Sequence, residues 1–245
     1  MDVALRWLSG KKKHVVVVRK TEPPSVRIRI PAKKLEMIRI LQQNYPYEVK
    51  GTLYFDPNMN FKSFEIRTDL NPSSAEGSED WSLFFHTHPK QTAKTLGLPY
   101  FSPPSVEDVM EIYDRTLLAD WPDTHRLGET SIIVASEGLW ILQVNRKGFR
   151  KMVKETFGEG AKPDEDILEI ILNETWNASI VDILRKINPG GKYIRKAPET
   201  VFVELARRLS DQYGINILYR SWKYLNEKGE LNITTNKNHV KLIHK

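Results

Sequence analysis

The chain has 245 residues, 40% of them hydrophobic and 28% charged, with a net charge of +6, which fits one globular domain, or one domain plus an appendage, able to bury its own core. It contains no cysteine, which excludes a disulfide framework, a thiol nucleophile, an iron–sulfur cluster and a cysteine-ligated zinc finger, so a metal would have to be held by histidine and carboxylate. No apolar run is long enough to span a membrane, and Lys11-Lys12-Lys13 follows the apolar start, unlike a secretory signal; an intracellular protein of cytoplasm or nucleus is expected.

In chain order, His14-Val15-Val16-Val17-Val18 reads as a buried strand, and residues 25–30 alternate as a half-buried one. A helix is predicted over 32–44, with Leu35, Ile38 and Leu41 inward, a proline at its start and Pro46 beyond its end. Strands follow at 48–56 and 61–68, then a polar loop over 71–80 and an apolar strand, 81–88, running into histidines. Residues 89–104 form a long proline-containing connection, and 105–120 a helix with Val109 and Ile112 inward. Strands at 130–136 and 139–145 are joined by a tight turn at Glu137-Gly138. Beyond Gly148 the pattern becomes helical, with amphipathic segments at 164–187 and 198–213, and the last thirty residues alternate as short strands, 239–244 among them.

Charge is uneven: residues 1–20 carry a net +5 and 190–245 a net +6, whereas the helix from Asp164 to Asp182 holds six acids and no base. Basic ends can touch nucleic acid, and Arg207, Arg208, Arg220, Trp222, Lys223 and Tyr224 mix charge with aromatics. Solvated surface and core aromatics explain the same residues, so nucleic acid is not the expected partner.

The residues that carry chemistry are His86-Thr87-His88-Pro89. In an extended strand, side chains two apart point to the same face, so His86 and His88 can offer two imidazoles to one ion. Pro89 cannot continue the ladder and puts the pair at a strand end. A hydrolytic zinc needs a third ligand and keeps one position for water. Asp108, in Ser105-Val106-Glu107-Asp108 at a helix start, is the candidate, with Glu107 adjacent to it. The same Ser105/Asp108 spacing is also that of a capping box.

H-T-H-P followed by S-x-x-D resembles the metal signature of the JAMM (MPN+, or JAB) metalloproteases. The upstream glutamate of that family has its counterpart in Glu48-Val49-Lys50-Gly51-Thr52-Leu53. The resemblance covers roughly residues 13–150. The connection between His88 and Asp108 is longer than is usual in the family, and the S-x-x-D phasing favours Asp108 over Glu107. What it implies is an α/β (α+β) fold, a mixed β-sheet flanked by helices of the JAMM/MPN, cytidine-deaminase-like type. The resemblance takes 13–150 as the catalytic domain; charge and periodicity give a basic segment at 1–12 and a mostly helical extension at 151–245 that ends in short strands. His86, His88 and Asp108 would bind one Zn²⁺, Glu48 would be the general acid/base, and Ser105 would donate to the developing oxyanion. The implied substrate is the isopeptide between a ubiquitin-like C-terminus and a lysine, with Leu98, Tyr100 and Phe101 of the long connection as candidate substrate contacts and with an activating protein partner for some members. The alternative is a non-catalytic scaffold, or a partner-dependent subunit, that binds ubiquitin or nucleic acid. A cupin would need a glutamate soon after the histidines and a zincin an HExxH motif, and neither is present; an amidohydrolase barrel would need more chain than follows His88 and further ligand histidines, and none of His14, His125, His239 and His244 has a suitable spacing.

Overall fold

The computed structural model describes residues 25–67, 81–89, 102–117, 126–160, 165–187 and 199–236. The expected strand at 14–18, the basic segment 1–12, the loop 71–80, the strand at 239–244, and Leu98, Tyr100 and Phe101 lie outside the described residues.

Strand β1 (Ser25–Pro31) leads directly into helix α1 (Ala32–Asn44), and β2 (Lys50–Phe55), β3 (Phe61–Arg67) and β4 (Trp81–Thr87) follow. Helix α2 (Val106–Leu117) precedes β5 (Arg126–Val134) and β6 (Gly138–Gln143). Then come α3 (Arg146–Phe157), α4 (Glu165–Ile187), α5 (Glu199–Tyr213), β7 (Asn216–Ser221), α6 (Trp222–Lys228) and β8 (Glu230–Asn236). Six strands form one sheet in the order β3-β2-β4-β5-β6-β7, and β1 pairs with β8 in a separate ribbon. The sheet is mixed: β4 runs antiparallel to β2 and parallel to β5, and the other pairs are antiparallel. The β4–α2–β5 segment supplies the one parallel pair, which needs a crossover connection instead of a hairpin.

The sheet is covered on both faces, which is why its central strands read as nearly continuous apolar runs. On one face Leu53, Phe55, Leu83, Phe85, Ile132, Val134, Leu139 and Ile141 join Leu35 and Ile38 of α1, the β1–β8 ribbon and Trp222 and Leu225 of α6. On the other, Ile133, Trp140, Leu142, Ile217 and Tyr219 pack with residues of α2, α3, α4 and α5. The period of two along β4 decides the site: Trp81, Leu83 and Phe85 belong to the α1 side, so Ser82, Phe84 and His86 face the α2 side.

Residues 151–245 were expected as an extension. Its strand β7 pairs with β6 over six residue pairs and becomes an edge of the main sheet. Strand β8 pairs with β1 over the full length of both. Helices α4 and α5 share a core cluster with α2, whose Tyr113 hydroxyl donates to the Tyr213 carbonyl at 2.6 Å. A short helix, α6, interrupts the run of short strands expected near the end. Its start is capped by Ser221, whose Oγ accepts from Tyr224 N–H at 3.0 Å, and its end by Gly229 in the left-handed region, φ 74°.

Two smaller features are informative. Leu41 was expected inward on α1, but it is half-buried and the adjacent Gln42 is buried, its side-chain nitrogen donating to the His88 carbonyl and to Ser136 Oγ. Gly51 lies under a tight contact: a Cβ there would overlap the Glu65 carbonyl on β3 and the Phe85 ring. The glycine of the E-V-x-G-x-L segment therefore has a steric reason. We expect Gly51→Ala to cost about 1–3 kcal/mol by overpacking, read as a lower urea midpoint at unchanged slope.

Candidate metal centre

His86, His88 and Asp108 come together, and all three are buried. The elements that bring them are the C-terminal end of β4 and the first turn of α2. His88 lies just past β4, but its N–H donates to the Val134 carbonyl at 3.0 Å and so continues the ladder with β5. The centre thus lies at the carboxyl end of β4, where its neighbours change from antiparallel to parallel, the kind of place where open sheets leave a crevice. Asp108 is inward in the first helical turn, whereas the adjacent Glu107 is exposed. Helical phasing thus decides between the two acids as the S-x-x-D spacing suggested.

The ligand atoms converge closely. His86 Nε2 is 2.8 Å from Asp108 Oδ1, His88 Nε2 is 3.3 Å from Asp108 Oδ2, and the two Nε2 atoms are 3.2 Å apart. A tetrahedral zinc with Zn–N bonds of about 2.0–2.1 Å separates its ligand atoms by roughly 3.3–3.4 Å. Two of the three separations here are near that span without rearrangement. Two imidazoles and a carboxylate are a nitrogen and oxygen donor set that suits Zn²⁺. Among the described residues this is the one group of three or more such side chains placed to hold an ion.

Each ligand is held from behind. His88 Nδ1 is 3.3 Å from the Ser102 carbonyl oxygen. Only a protonated nitrogen can make that contact, so Nδ1 carries the hydrogen and Nε2 faces Asp108 and His86. The His88 carbonyl accepts from Gln42 Nε2 at 2.9 Å, and the same nitrogen is 2.9 Å from Ser136 Oγ. Asp108 and Ser105 form a reciprocal capping box: Ser105 N–H donates to Asp108 Oδ2 at 2.6 Å, and Asp108 N–H donates to Ser105 Oγ at 3.2 Å. The Ser105 hydroxyl acts there as an acceptor and does not spend its own hydrogen in that contact. Burial opposes a charge on Asp108, but hydrogen bonds from His86 and His88 outweigh it and hold the carboxyl well below the usual range. Burial likewise opposes a charge on His88, yet Asp108 and, further off, Glu48 pull its pKa upward. Protons and an ion would compete for these same atoms.

Glu48 lies outside the ligand group. It is exposed and immediately precedes β2, so that strand begins two residues later than the sequence suggested. Val49, next to it, donates to Thr87 Oγ1 at 2.9 Å and accepts from Thr87 N–H at 2.9 Å. Lys50 is the register partner of His86. Continued by two residues, that register sets Glu48 opposite His88, on the same face. Thr87 thus has a structural task of its own, pinning the glutamate-bearing segment to the histidine-bearing one.

No local pattern pointed to Gln42, Ser102 or Glu137, which surround His88 and its supports. Gln42 sat in an apolar helical stripe, and Glu137 looked like a turn residue. Glu137 Oε1 accepts from Ser102 N–H at 3.0 Å and from Trp140 Nε1 at 2.9 Å. No protein-family model, curated protein or solved structure matches this chain. Among the described residues, no helix is long and apolar enough to cross a membrane.

Proposed function

We propose that the protein is a zinc-dependent isopeptidase of the JAMM type that hydrolyses the amide between a ubiquitin-like C-terminus and a lysine. The observation that carries this reading is the convergence of His86, His88 and Asp108 within 4.8 Å, with Glu48 just ahead of the strand that pairs with β4 and outside the ligand set. Two imidazoles and one carboxylate leave an open position on a four-coordinate ion, the arrangement of catalytic and not structural zinc. When bound there, zinc supplies Lewis-acid polarisation of the substrate carbonyl and acidifies water.

The chain's own residues supply the rest. Glu48 takes a proton from the attacking water and returns it to the leaving lysine amine; both transfers need a carboxylate near the ion but not on it. Ser105 donates its hydroxyl hydrogen to the oxygen that gains charge as the carbonyl becomes tetrahedral. The α2 N-terminus contributes a positive potential at the same place. Asp108 and the Ser102 carbonyl keep the imidazoles aligned. Met37, Ile40, Tyr45 and Tyr47 are exposed on α1 and on the turn leading into Glu48, an apolar surface suited to a protein substrate. Intracellular action, on conjugates made there, belongs to the same proposal.

The test is incubation of the zinc-loaded chain with di-ubiquitins of each linkage and with a fusion of another ubiquitin-like protein, beside the Glu48→Gln variant. Cleavage by the parent alone, abolished by a chelator and restored by zinc, is the expected result. Cleavage that survives both the chelator and Glu48→Gln would overturn the mechanism. Zinc uptake with no cleavage of any conjugate would favour a scaffold over an enzyme.

A further inference from the structure

We infer that Glu137 is a positioning residue of the metal centre, acting through the Ser102 peptide on the ring of His88. This rests on His86, His88 and Asp108 being a metal site. The turn between β5 and β6 is closed by the Ala135 N–H to Gly138 carbonyl bond at 2.9 Å, which places Glu137 at the corner. Its side chain does not point to water. Oε1 takes two donors, Ser102 N–H at 3.0 Å and Trp140 Nε1 at 2.9 Å, while Oε2 is shut off from solvent with no hydrogen-bond partner. The corner is fixed in turn by Tyr219, whose hydroxyl donates to the Glu137 carbonyl at 2.7 Å.

The consequence is a relay. Ser102 belongs to the irregular segment before α2, which has no ladder of its own to hold it. Glu137 grips the N–H side of Ser102, and the carbonyl of the same residue meets His88 Nδ1 at 3.3 Å. That carbonyl selects the tautomer in which Nε2 is free to bind an ion. The same corner reaches His88 by a second route: Gln42 Nε2 links Ser136 Oγ to the His88 carbonyl, each at 2.9 Å. Ring and main chain of one ligand are thus both tied to Ser136-Glu137. An enclosed carboxyl with one unpaired oxygen is costly to bury, and burial pushes the Glu137 carboxyl up. A neutral acceptor of the same shape would serve the geometry equally well, so the role is one of placement and not of charge.

The test uses the full chain as parent, Glu137→Ala, Glu137→Asp and Glu137→Gln, with two readouts. Zinc affinity is measured by competition with a chromophoric chelator. The ring-nitrogen shifts of ¹⁵N-labelled histidine in the metal-free chain, read at alkaline pH where the ring is neutral, report the His88 tautomer. Glu137→Ala removes the acceptor and Glu137→Asp withdraws it by one methylene; both should weaken zinc about 10–100-fold and mix the His88 tautomers. Glu137→Gln, which keeps the acceptor, should behave as the parent in both. If Glu137→Ala does not fold, the contrast between Glu137→Asp and Glu137→Gln decides. Parental affinity and tautomer in Glu137→Ala and Glu137→Asp would overturn the inference, as would a Glu137→Gln chain as weak as Glu137→Asp. A parent that takes up no zinc while its His88 tautomer still depends on residue 137 would refute the metal-site reading and leave the relay standing.

Discussion

Glu48→Gln should lower isopeptide cleavage by about 10²–10⁴-fold, the range for loss of a general acid/base, and leave zinc uptake nearly unchanged. The separation follows from placement. Glu48 is not among the convergent ligand atoms, yet the Val49–Thr87 pair of hydrogen bonds fixes its neighbour against the strand that carries both histidines. Glutamine has the same size and can still accept a hydrogen bond, but it cannot take a proton. The loss should therefore fall on kcat with little change in KM. A variant that loses zinc together with activity would show that Glu48 is a ligand, and one that keeps full activity would remove it from the mechanism.

A second large effect is expected on thermal stability. Zinc binds only the folded cluster, so an excess of about 100 times its Kd should stabilise the chain by about 2.7 kcal/mol. For a chain of this size, that corresponds to a Tm rise of roughly 5–10 °C. Asp108→Ala should abolish the rise, because it deletes one ligand and leaves His86 and His88 facing each other with Nε2 atoms 3.2 Å apart. Ser105→Ala, by contrast, should keep the zinc-dependent rise while costing about 1 kcal/mol as a lost cap, since its hydroxyl holds Asp108 N–H and not the ion. Differential scanning calorimetry with and without zinc distinguishes the three chains. Equal rises in the parent and Asp108→Ala would contradict the ligand assignment.

The residues nearest the chemistry were the most legible. His86 and His88 announce themselves because a strand's period of two puts them on one face, and Asp108 because the first turn of a helix carries it toward them. The apolar run of β4 and the helical stripe of α2 could be read without any tertiary information. What could not be read was whatever depends on contacts distant in sequence. Gln42 is buried where Leu41 was expected because its amide meets the His88 carbonyl 46 residues away, a partner that helical periodicity cannot reveal. Glu137 has the local signature of a turn, and its carboxyl is used 35 residues upstream. The same limit applied to β7. Its alternation was visible, but its place beside β6 rests on non-local pairing, so a segment expected as an extension is an edge of the main sheet. Helix α6 could have been recognised from Ser221 and Gly229, a cap at each end, but the alternation on either side of it dominated the reading.

The most direct test of the central claim, that His86, His88 and Asp108 form a zinc centre, is X-ray absorption at the zinc edge of the full chain loaded with one equivalent. The account predicts a four-coordinate shell of nitrogen and oxygen at roughly 2.0–2.1 Å, with the multiple-scattering signature of two imidazoles, and one imidazole fewer in His88→Ala. A six-coordinate, oxygen-only shell, or a spectrum that His88→Ala leaves unchanged, would contradict it.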